Sequence, residues 1–165
     1  MSRAKVIERE VLRSWLLDLP QPDASAPAEA TTIPVLPTPA KVAVVDVRDD
    51  DHVGGHVKSS LHVPSSSFAD NLPELHEKLK HHNAVVFHCA LSQQRGPNAA
   101  SMYLRYKELV EPSDTGDNLK AETLDVQQQQ QQVYVLGGGF TGWQQDYGKD
   151  DRLTEAYDEQ LWKFY

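Results

Sequence analysis

The chain has 165 residues, 39% of them hydrophobic, which suits one compact domain with its own core. Its formal net charge of -8 excludes an overall basic surface for nucleic acid. No apolar run reaches the length of about 18 residues that a membrane span needs, and the N-terminus lacks the apolar core of a signal peptide. We therefore expect no nucleic-acid or membrane partner and a cytoplasmic location, with the nucleus as a second compartment.

The first predicted elements are a helix, a linker and a strand. Apolar residues at helical spacing predict a helix over 6–19, which Pro20 and Pro22 end. The segment 20–40, rich in Pro, Ala and Thr, predicts a flexible surface linker. The short apolar run 42–45 predicts a buried strand of a parallel sheet.

Strands and helices alternate through the middle of the chain. A polar loop with a Gly54-Gly55 pair follows the first strand. The pattern then predicts a short strand over 60–64, a helix over 71–82, a buried strand over 84–87 and a helix over 97–110.

The last part of the chain begins with a low-complexity segment. Residues 111–132 are acidic at first and close with six glutamines, which predicts a disordered surface insertion. A third buried strand over 133–136 and an amphipathic C-terminal helix over 153–164 are expected to follow. The whole pattern predicts an α/β fold in one domain spanning 1–165, with a central, mostly parallel sheet flanked by helices.

The chain has one cysteine, Cys89, so an internal disulfide is excluded. Lone cysteines are more often buried filler than reactive thiols. Cys89, however, directly follows the predicted strand 84–87, and parallel sheets bind ligands at the carboxyl ends of their strands. Five residues separate it from Arg95, and Gly96-Pro97 then begins a helix, which favours a functional thiol.

The physical chemistry of this loop predicts an oxyanion site. Loop amides and a helix N-terminus can form a nest for an anion, and Arg95 can bind two oxygens of a tetrahedral oxyanion. The same groups favour the thiolate, so we predict Cys89 as nucleophile and Arg95 as clamp. We expect Ser92 to donate a hydrogen bond to the sulfur and His88 to orient the loop. The predicted substrate-binding residues are His88, Ala90, Leu91, Ser92, Gln93 and Gln94.

A family resemblance rests on His88, Cys89, Ser92, Arg95, Gly96 and Pro97 in that order. Their spacing resembles the active-site loop of the M-phase inducer dual-specificity phosphatases and of the related fungal and plant arsenate reductases. Segments 44–64 and 133–143 resemble the two flanking signatures of the rhodanese fold, and the signature core covers about residues 41–145. The resemblance implies a rhodanese-like domain with a five-stranded parallel sheet and a thiophosphoryl-cysteine intermediate.

One departure from this family concerns the general acid. The M-phase inducers carry acidic residues within the loop, where this chain has Ala90 and Gln94. Candidate acids from a neighbouring loop are Asp46, Asp49, Asp50 and Asp51, although most loop carboxylates are simply solvated.

Several functions stay open at this point. A phosphatase would act on a phosphoprotein or a small phosphate ester, whereas an arsenate reductase would bind arsenate in the same loop. With one cysteine, the reductase would need an external thiol such as glutathione with glutaredoxin. A thiosulfate sulfurtransferase is less expected, because the active-site loop of that family is one residue shorter between the cysteine and the arginine. A non-catalytic binding module is also less expected, because it would not require both Cys89 and Arg95. The polyglutamine run suggests a fungal source.

Other patterns are weaker. Gly137, Gly139 and Gly142 match a dinucleotide fingerprint, but too little chain follows them, so we expect a tight strand-to-helix turn instead. His52 and His56 suggest zinc, yet no ligand spacing supports a metal and we expect solvated histidines. We expect neither a metal nor a cofactor.

Overall fold

The computed structural model describes residues 3–17, 39–111 and 131–164. Most of the predicted linker 20–40 and of the predicted insertion 111–132 therefore lies outside the described residues. In the described ranges, no helix is long and apolar enough to cross a membrane.

The described residues alternate between strands and helices, as the sequence predicts. In chain order the elements are β1 (Lys5–Ile7), α1 (Arg9–Leu16), β2 (Val42–Asp46), β3 (His56–Val57), β4 (Leu61–His62), α2 (Phe68–Leu79), β5 (Ala84–His88), α3 (Arg95–Val110), β6 (Gln132–Leu136), α4 (Gly139–Tyr147), β7 (Thr154–Glu155) and α5 (Glu159–Trp162).

The central sheet has five strands in the order β1-β6-β5-β2-β4, and all of its pairs are parallel. This confirms the predicted five-stranded parallel sheet. Strands β3 and β7 pair separately and antiparallel beside it. Strand β5, which delivers the cysteine, is the third strand of the five and is therefore held on both edges.

Helices cover both faces of β5, which explains its uninterrupted apolar sequence. On one face Val85 and Phe87 pack in a core cluster with residues of α2 and α3. On the opposite face Val86 packs with Trp143 of α4 and with residues of α1. All five residues of β5 are buried, so the strand gives the cysteine a fixed starting point.

Two predicted helices are wrong in part, at opposite ends of the chain. The predicted helix 6–19 begins only at Arg9, because Lys5–Ile7 pairs with β6 as an edge strand. The predicted C-terminal helix 153–164 is shortened to Glu159–Trp162, since Thr154–Glu155 pairs with β3 and Asp158 caps the short helix. In both cases pairing with a distant strand overrides local periodicity.

The end of the glutamine run is also not disordered, contrary to the prediction for 111–132. Gln131 is buried, and its side-chain amide donates to the carbonyl oxygens of Leu79 at 2.6 Å and His82 at 3.0 Å. Its Oε1 accepts from the Tyr103 hydroxyl at 2.8 Å. Gln131 therefore joins α2, α3 and the start of β6.

Replacing this glutamine should destabilise the fold. Gln131→Ala removes the hydrogen-bond acceptor of the buried Tyr103 hydroxyl and a donor to two carbonyl oxygens, so we expect the free energy of unfolding to fall by about 1–3 kcal/mol. Urea denaturation measures this change. Gln160→Ala, at an exposed position of α5, is the matched control and should change the free energy by less than about 0.5 kcal/mol. Equal effects of the two substitutions would contradict the structural role of Gln131.

Candidate active site

The site forms where two neighbouring strands end. Strands β2 and β5 are parallel, and Asp46 lies directly opposite His88 in their register. The Val47 N–H donates to the His88 carbonyl at 2.9 Å, which extends the pairing past the strand ends. The loop after β2 and the loop after β5 are therefore neighbours, as expected for a site at the carboxyl edge of a parallel sheet.

The loop after β5 folds tightly around the cysteine. The backbone N–H of Ser92 donates to the Cys89 Sγ at 3.1 Å, and the Ser92 Oγ accepts from the Cys89 N–H at 3.4 Å. Ser92 adopts a left-handed conformation with φ of 54°, which turns its N–H inward. The predicted hydrogen bond from the Ser92 hydroxyl to the sulfur is wrong, because the backbone amide of Ser92 occupies that position. Cys89 is only 3% exposed, so the sulfur lies deep in the loop.

Helix α3 begins immediately after this loop, with Arg95 as its first residue. A Cβ on Gly96 would lie 3.3 Å from the His88 Cα and 3.4 Å from the Cys89 nitrogen, so the first turn packs closely on the cysteine backbone. The partial positive charge of the helix N-terminus therefore lies beside the sulfur.

Helix α4 fixes the loop from the other side. The N–H of Phe140 donates to the Cys89 carbonyl at 3.0 Å, and the N–H of Thr141 donates to the Ala90 carbonyl at 2.9 Å. Gly139 begins the helix with a φ of 58°, and a Cβ there would lie 2.4 Å from the Ala90 oxygen. The glycine run is therefore the tight turn that the sequence analysis expected.

His88 supports the loop from beneath. Its side chain is completely buried, and its Nδ1 lies 3.1 Å from the Cys89 carbonyl oxygen. Burial lowers the pKa of His88, so the ring is neutral and donates from Nδ1 to that carbonyl. Its Nε2 has no hydrogen-bond partner among the described residues. This geometry matches an orienting role for His88 and gives its ring no direct path to a substrate.

A buried ion pair lies next to His88, in the segment predicted as a polar loop. Arg48 binds Asp46 through two guanidinium nitrogens, at 2.7 and 3.0 Å, and both side chains are buried. Burial raises the pKa of Asp46, but the hydrogen bonds and the positive charge of Arg48 oppose this and the pKa lies below its ordinary value. Arg48 also donates to the Gly55 carbonyl at 2.8 Å and lies 4.3 Å above the Phe140 ring. The pair thus ties the loop after β2 to α4.

Arg95 is held by acidic residues of this same loop. Its two terminal nitrogens bind the two oxygens of Asp51 at 2.8 and 2.6 Å, and one of them also lies 3.3 Å from Asp49. The hydrogen bond to Asp51 raises the pKa of Arg95 most strongly, with smaller contributions from Asp49 and from the charge of Cys89. Two carboxylates of the loop after β2 therefore bind the guanidinium.

These contacts bear on the candidate general acids. Hydrogen bonds, above all from the Ser65 hydroxyl, lower the pKa of Asp49 to about 2. The hydrogen bond from Arg95 lowers the pKa of Asp51. Both carboxyls are ionised at neutral pH and carry no proton to donate. The same holds for Asp46 in its buried pair with Arg48. Asp50 is exposed to solvent.

The other predicted binding residues line the outer part of the loop. Ala90 and Ser92 are half-buried, whereas Leu91, Gln93 and Gln94 are exposed, Leu91 to 51%. The structure thus brings these residues to one loop around Cys89, and their contact with a substrate stays a prediction.

His52 and His56, which were expected to be solvated, are half-buried and stack beside the site together with His62. His52 stacks on His62 with ring centroids 3.7 Å apart and on His56 at 5.6 Å. His62 Nε2 lies 2.6 Å from the Arg48 carbonyl, and His56 Nε2 lies 3.0 Å from Glu155. No group of three or more His, Cys, Asp or Glu in the described part of the chain is placed to hold a metal ion. The histidines therefore pack the loop after β2.

A cavity of about 700 Å³ opens beside the active-site loop. Ala90, Leu91 and Asp51 border it on the loop side. Its opposite wall comes from the C-terminal segment, with Tyr157 and Trp162 among its lining. The cavity is large enough for an organic group next to the loop.

Comparison with known proteins gives one family match and three similar proteins, and all of them agree. The model of the rhodanese-like domain matches residues 36–146. A CDC25-like phosphatase of Saccharomyces cerevisiae is 37% identical over 131 residues, covering 73% of this chain and 77% of the relative. Arsenate reductase 2.2 of Oryza sativa is 40% identical over 117 residues, covering 70% of this chain and 78% of the relative. The solved structure of a yeast protein tyrosine phosphatase of the rhodanese family aligns with a TM-score of 0.64 at 30% identity, covering 98% of this chain and 99% of that one.

The contact between α4 and the loop yields a stability prediction. In Gly139→Ala the new Cβ meets the Ala90 oxygen at 2.4 Å and the residue must keep a positive φ. We expect a loss of about 2–4 kcal/mol in the free energy of unfolding, measured in urea. Gly142→Ala is the control, because its Cβ would meet only the flexible end of Arg9 and the change should stay within about 1 kcal/mol. A neutral Gly139→Ala would contradict the close approach of α4 to the loop.

Proposed function

The chain belongs to the rhodanese-like family, and from that premise we propose that it is a cysteine-dependent phosphatase of the protein-tyrosine or dual-specificity type. Its relatives include a CDC25-like phosphatase and an arsenate reductase. In this proposal Cys89 is the nucleophile and Arg95 binds the oxyanion. The loop residues 90–94 supply amides to the phosphoryl oxygens.

The proposed reaction has two steps. The Cys89 thiolate attacks phosphorus, the ester P–O bond breaks, and the leaving oxygen takes a proton from solvent. Water then attacks the thiophosphoryl-cysteine, the S–P bond breaks, and phosphate leaves with the thiolate restored. Arg95 and the loop amides stabilise the equatorial oxygens in both transition states.

The hydrogen bond from Ser92 N–H to the Cys89 Sγ at 3.1 Å is the single observation that carries this proposal. It joins the only cysteine of the chain to an inward-facing amide of the loop that leads into α3. A buried filler thiol has no need of a left-handed residue that turns an amide toward it. A nucleophilic thiol benefits from such an amide, because the amide stabilises the negatively charged sulfur.

The cavity beside the loop favours an ester over a free oxyanion. A phosphate ester carries an organic group, and a space of about 700 Å³ bordered by Ala90 and Leu91 can receive it. Tyr157, Leu161 and Trp162 give the space a largely apolar wall, which suits an aromatic leaving group such as that of phosphotyrosine. Free arsenate has no organic group that could occupy this cavity.

Arsenate reduction is the second candidate, and the state of the carboxylates favours it. Asp49 and Asp51 are ionised, and the loop holds Ala90 and Gln94 at the acidic positions of the M-phase inducers, so a poor leaving group finds no proton donor there. In reduction the thiolate binds arsenate with loss of hydroxide. A glutathione thiolate then attacks the sulfur, the S–As bond breaks with both electrons passing to arsenic, and arsenite and a Cys89–glutathione disulfide result. Glutaredoxin would reduce that disulfide.

Catalysis by Cys89 is tested with p-nitrophenyl phosphate, whose leaving group needs no proton from the protein. We expect the purified chain to hydrolyse it and Cys89→Ser to lower kcat/KM at least about a thousandfold, because the nucleophile is lost. Activity that survives in Cys89→Ser would contradict the assignment of the nucleophile.

Arsenate turnover with glutathione and glutaredoxin, measured on the same preparation, ranks the two candidates. The phosphatase proposal predicts ester hydrolysis as the faster reaction. Arsenite production without ester hydrolysis would contradict the phosphatase proposal and support arsenate reduction instead.

A further inference from the structure

The guanidinium that should bind the oxyanion already binds a carboxylate. Asp51 uses both of its oxygens on the two terminal nitrogens of Arg95, at 2.6 and 2.8 Å. Two oxygens of a phosphate or an arsenate would use the same fork in the same bidentate way. The carboxylate of Asp51 and a tetrahedral oxyanion are thus alternative ligands of one side chain.

The loop that presents Asp51 is built around this contact. The Asp49 N–H donates to Asp51 Oδ1 at 3.0 Å, and Asp49 in turn accepts from the Ser66 N–H at 2.9 Å. The buried Arg48 lies beneath, within 3.5 Å of the Asp51 carbonyl oxygen and 3.4 Å of the Val53 carbonyl oxygen. Asp51 is therefore presented by an ordered loop on a buried ion pair, unlike most surface carboxylates.

The local charge opposes an incoming anion. Asp49 and Asp51 carry one negative charge each and Arg95 one positive charge, so the three groups sum to -1 at neutral pH. A phosphate or arsenate dianion gains little from this trio unless a carboxylate leaves the guanidinium. Because Arg95 and Asp51 are about one-third exposed, solvent screens their pair and a substrate can displace it.

We propose that Asp51 limits the affinity of the site, because its carboxylate competes with the substrate oxyanion for Arg95 and the oxyanion binds by displacing it. The inference rests on the proposed function only in taking Cys89 and Arg95 as the oxyanion site, and it holds for phosphate and arsenate alike. Asp51 acts through Arg95 and touches no reacting atom. Its removal therefore strengthens the binding of the oxyanion, whereas a residue that merely holds Arg95 in place would weaken it.

The test measures anion binding without turnover. Bound phosphate or arsenate should protect Cys89 from alkylation by iodoacetamide. The protection, followed by mass spectrometry, gives a dissociation constant for each anion. In Asp51→Asn we expect both constants to fall roughly two- to fivefold, the range of one partly exposed ion pair. Asp50→Asn removes the same charge from the same loop at an exposed position and should leave both constants nearly unchanged. Thermal unfolding of each variant verifies that it is folded.

Each outcome decides the inference. Weaker or unchanged protection in Asp51→Asn overturns it, and an equal gain in Asp50→Asn overturns it by assigning the effect to net charge. If Cys89→Ser abolishes ester hydrolysis while Asp51→Asn shows no gain, this inference alone fails and the proposed function stands. If neither anion protects Cys89 in the wild type or in Asp51→Asn, both fail.

Discussion

The backbone hydrogen bond from Ser92 to the Cys89 sulfur is the contact on which the rest of the site depends. It requires that the chain leave β5, turn through a left-handed residue and enter α3 within a few residues. Strands β2 and β6 hold β5 on both edges, and the amides of α4 hold the carbonyls of the loop. The sheet, the helices and the loop therefore all determine the position of the Cys89 sulfur, and a displacement of any of them would move it.

Charge at the site is arranged in two layers. The buried layer is the Asp46–Arg48 pair, which is neutral as a unit and holds the loop after β2 in place. The outer layer joins Arg95 to Asp49 and Asp51 and is exposed enough to exchange partners. In the proposed function, anion binding by a chain with a net charge of -8 depends on this exchange, because the loop amides and a guanidinium released from Asp51 act at shorter range than the distant acidic residues.

The sequence predicts the elements whose structure is determined by a local pattern within one segment. Strands β2, β5 and β6 are continuous apolar runs because helices cover both faces of the sheet, and the spacing of Cys89, Arg95 and Pro97 marks a strand, a loop and a helix start. Strands β1, β3 and β7 were missed because they have two or three residues and exist through pairing with distant segments. The contact of Asp51 with Arg95 was missed for a similar reason, since the two residues lie 44 positions apart and loop carboxylates usually face water. Arg48 and Gln131 were missed because buried polar side chains have no apolar pattern that marks them.

A crystal structure with orthovanadate tests the central claim most directly. Vanadate accepts a thiolate as a fifth ligand, and so it reports both the nucleophile and the groups around the oxyanion. The account predicts vanadium bonded to the Cys89 Sγ, with Ser92 N–H still turned inward and both terminal nitrogens of Arg95 on vanadate oxygens. Vanadate bound elsewhere, or absent from a loop whose Cys89 remains sealed beneath an intact Arg95–Asp51 pair, would contradict it.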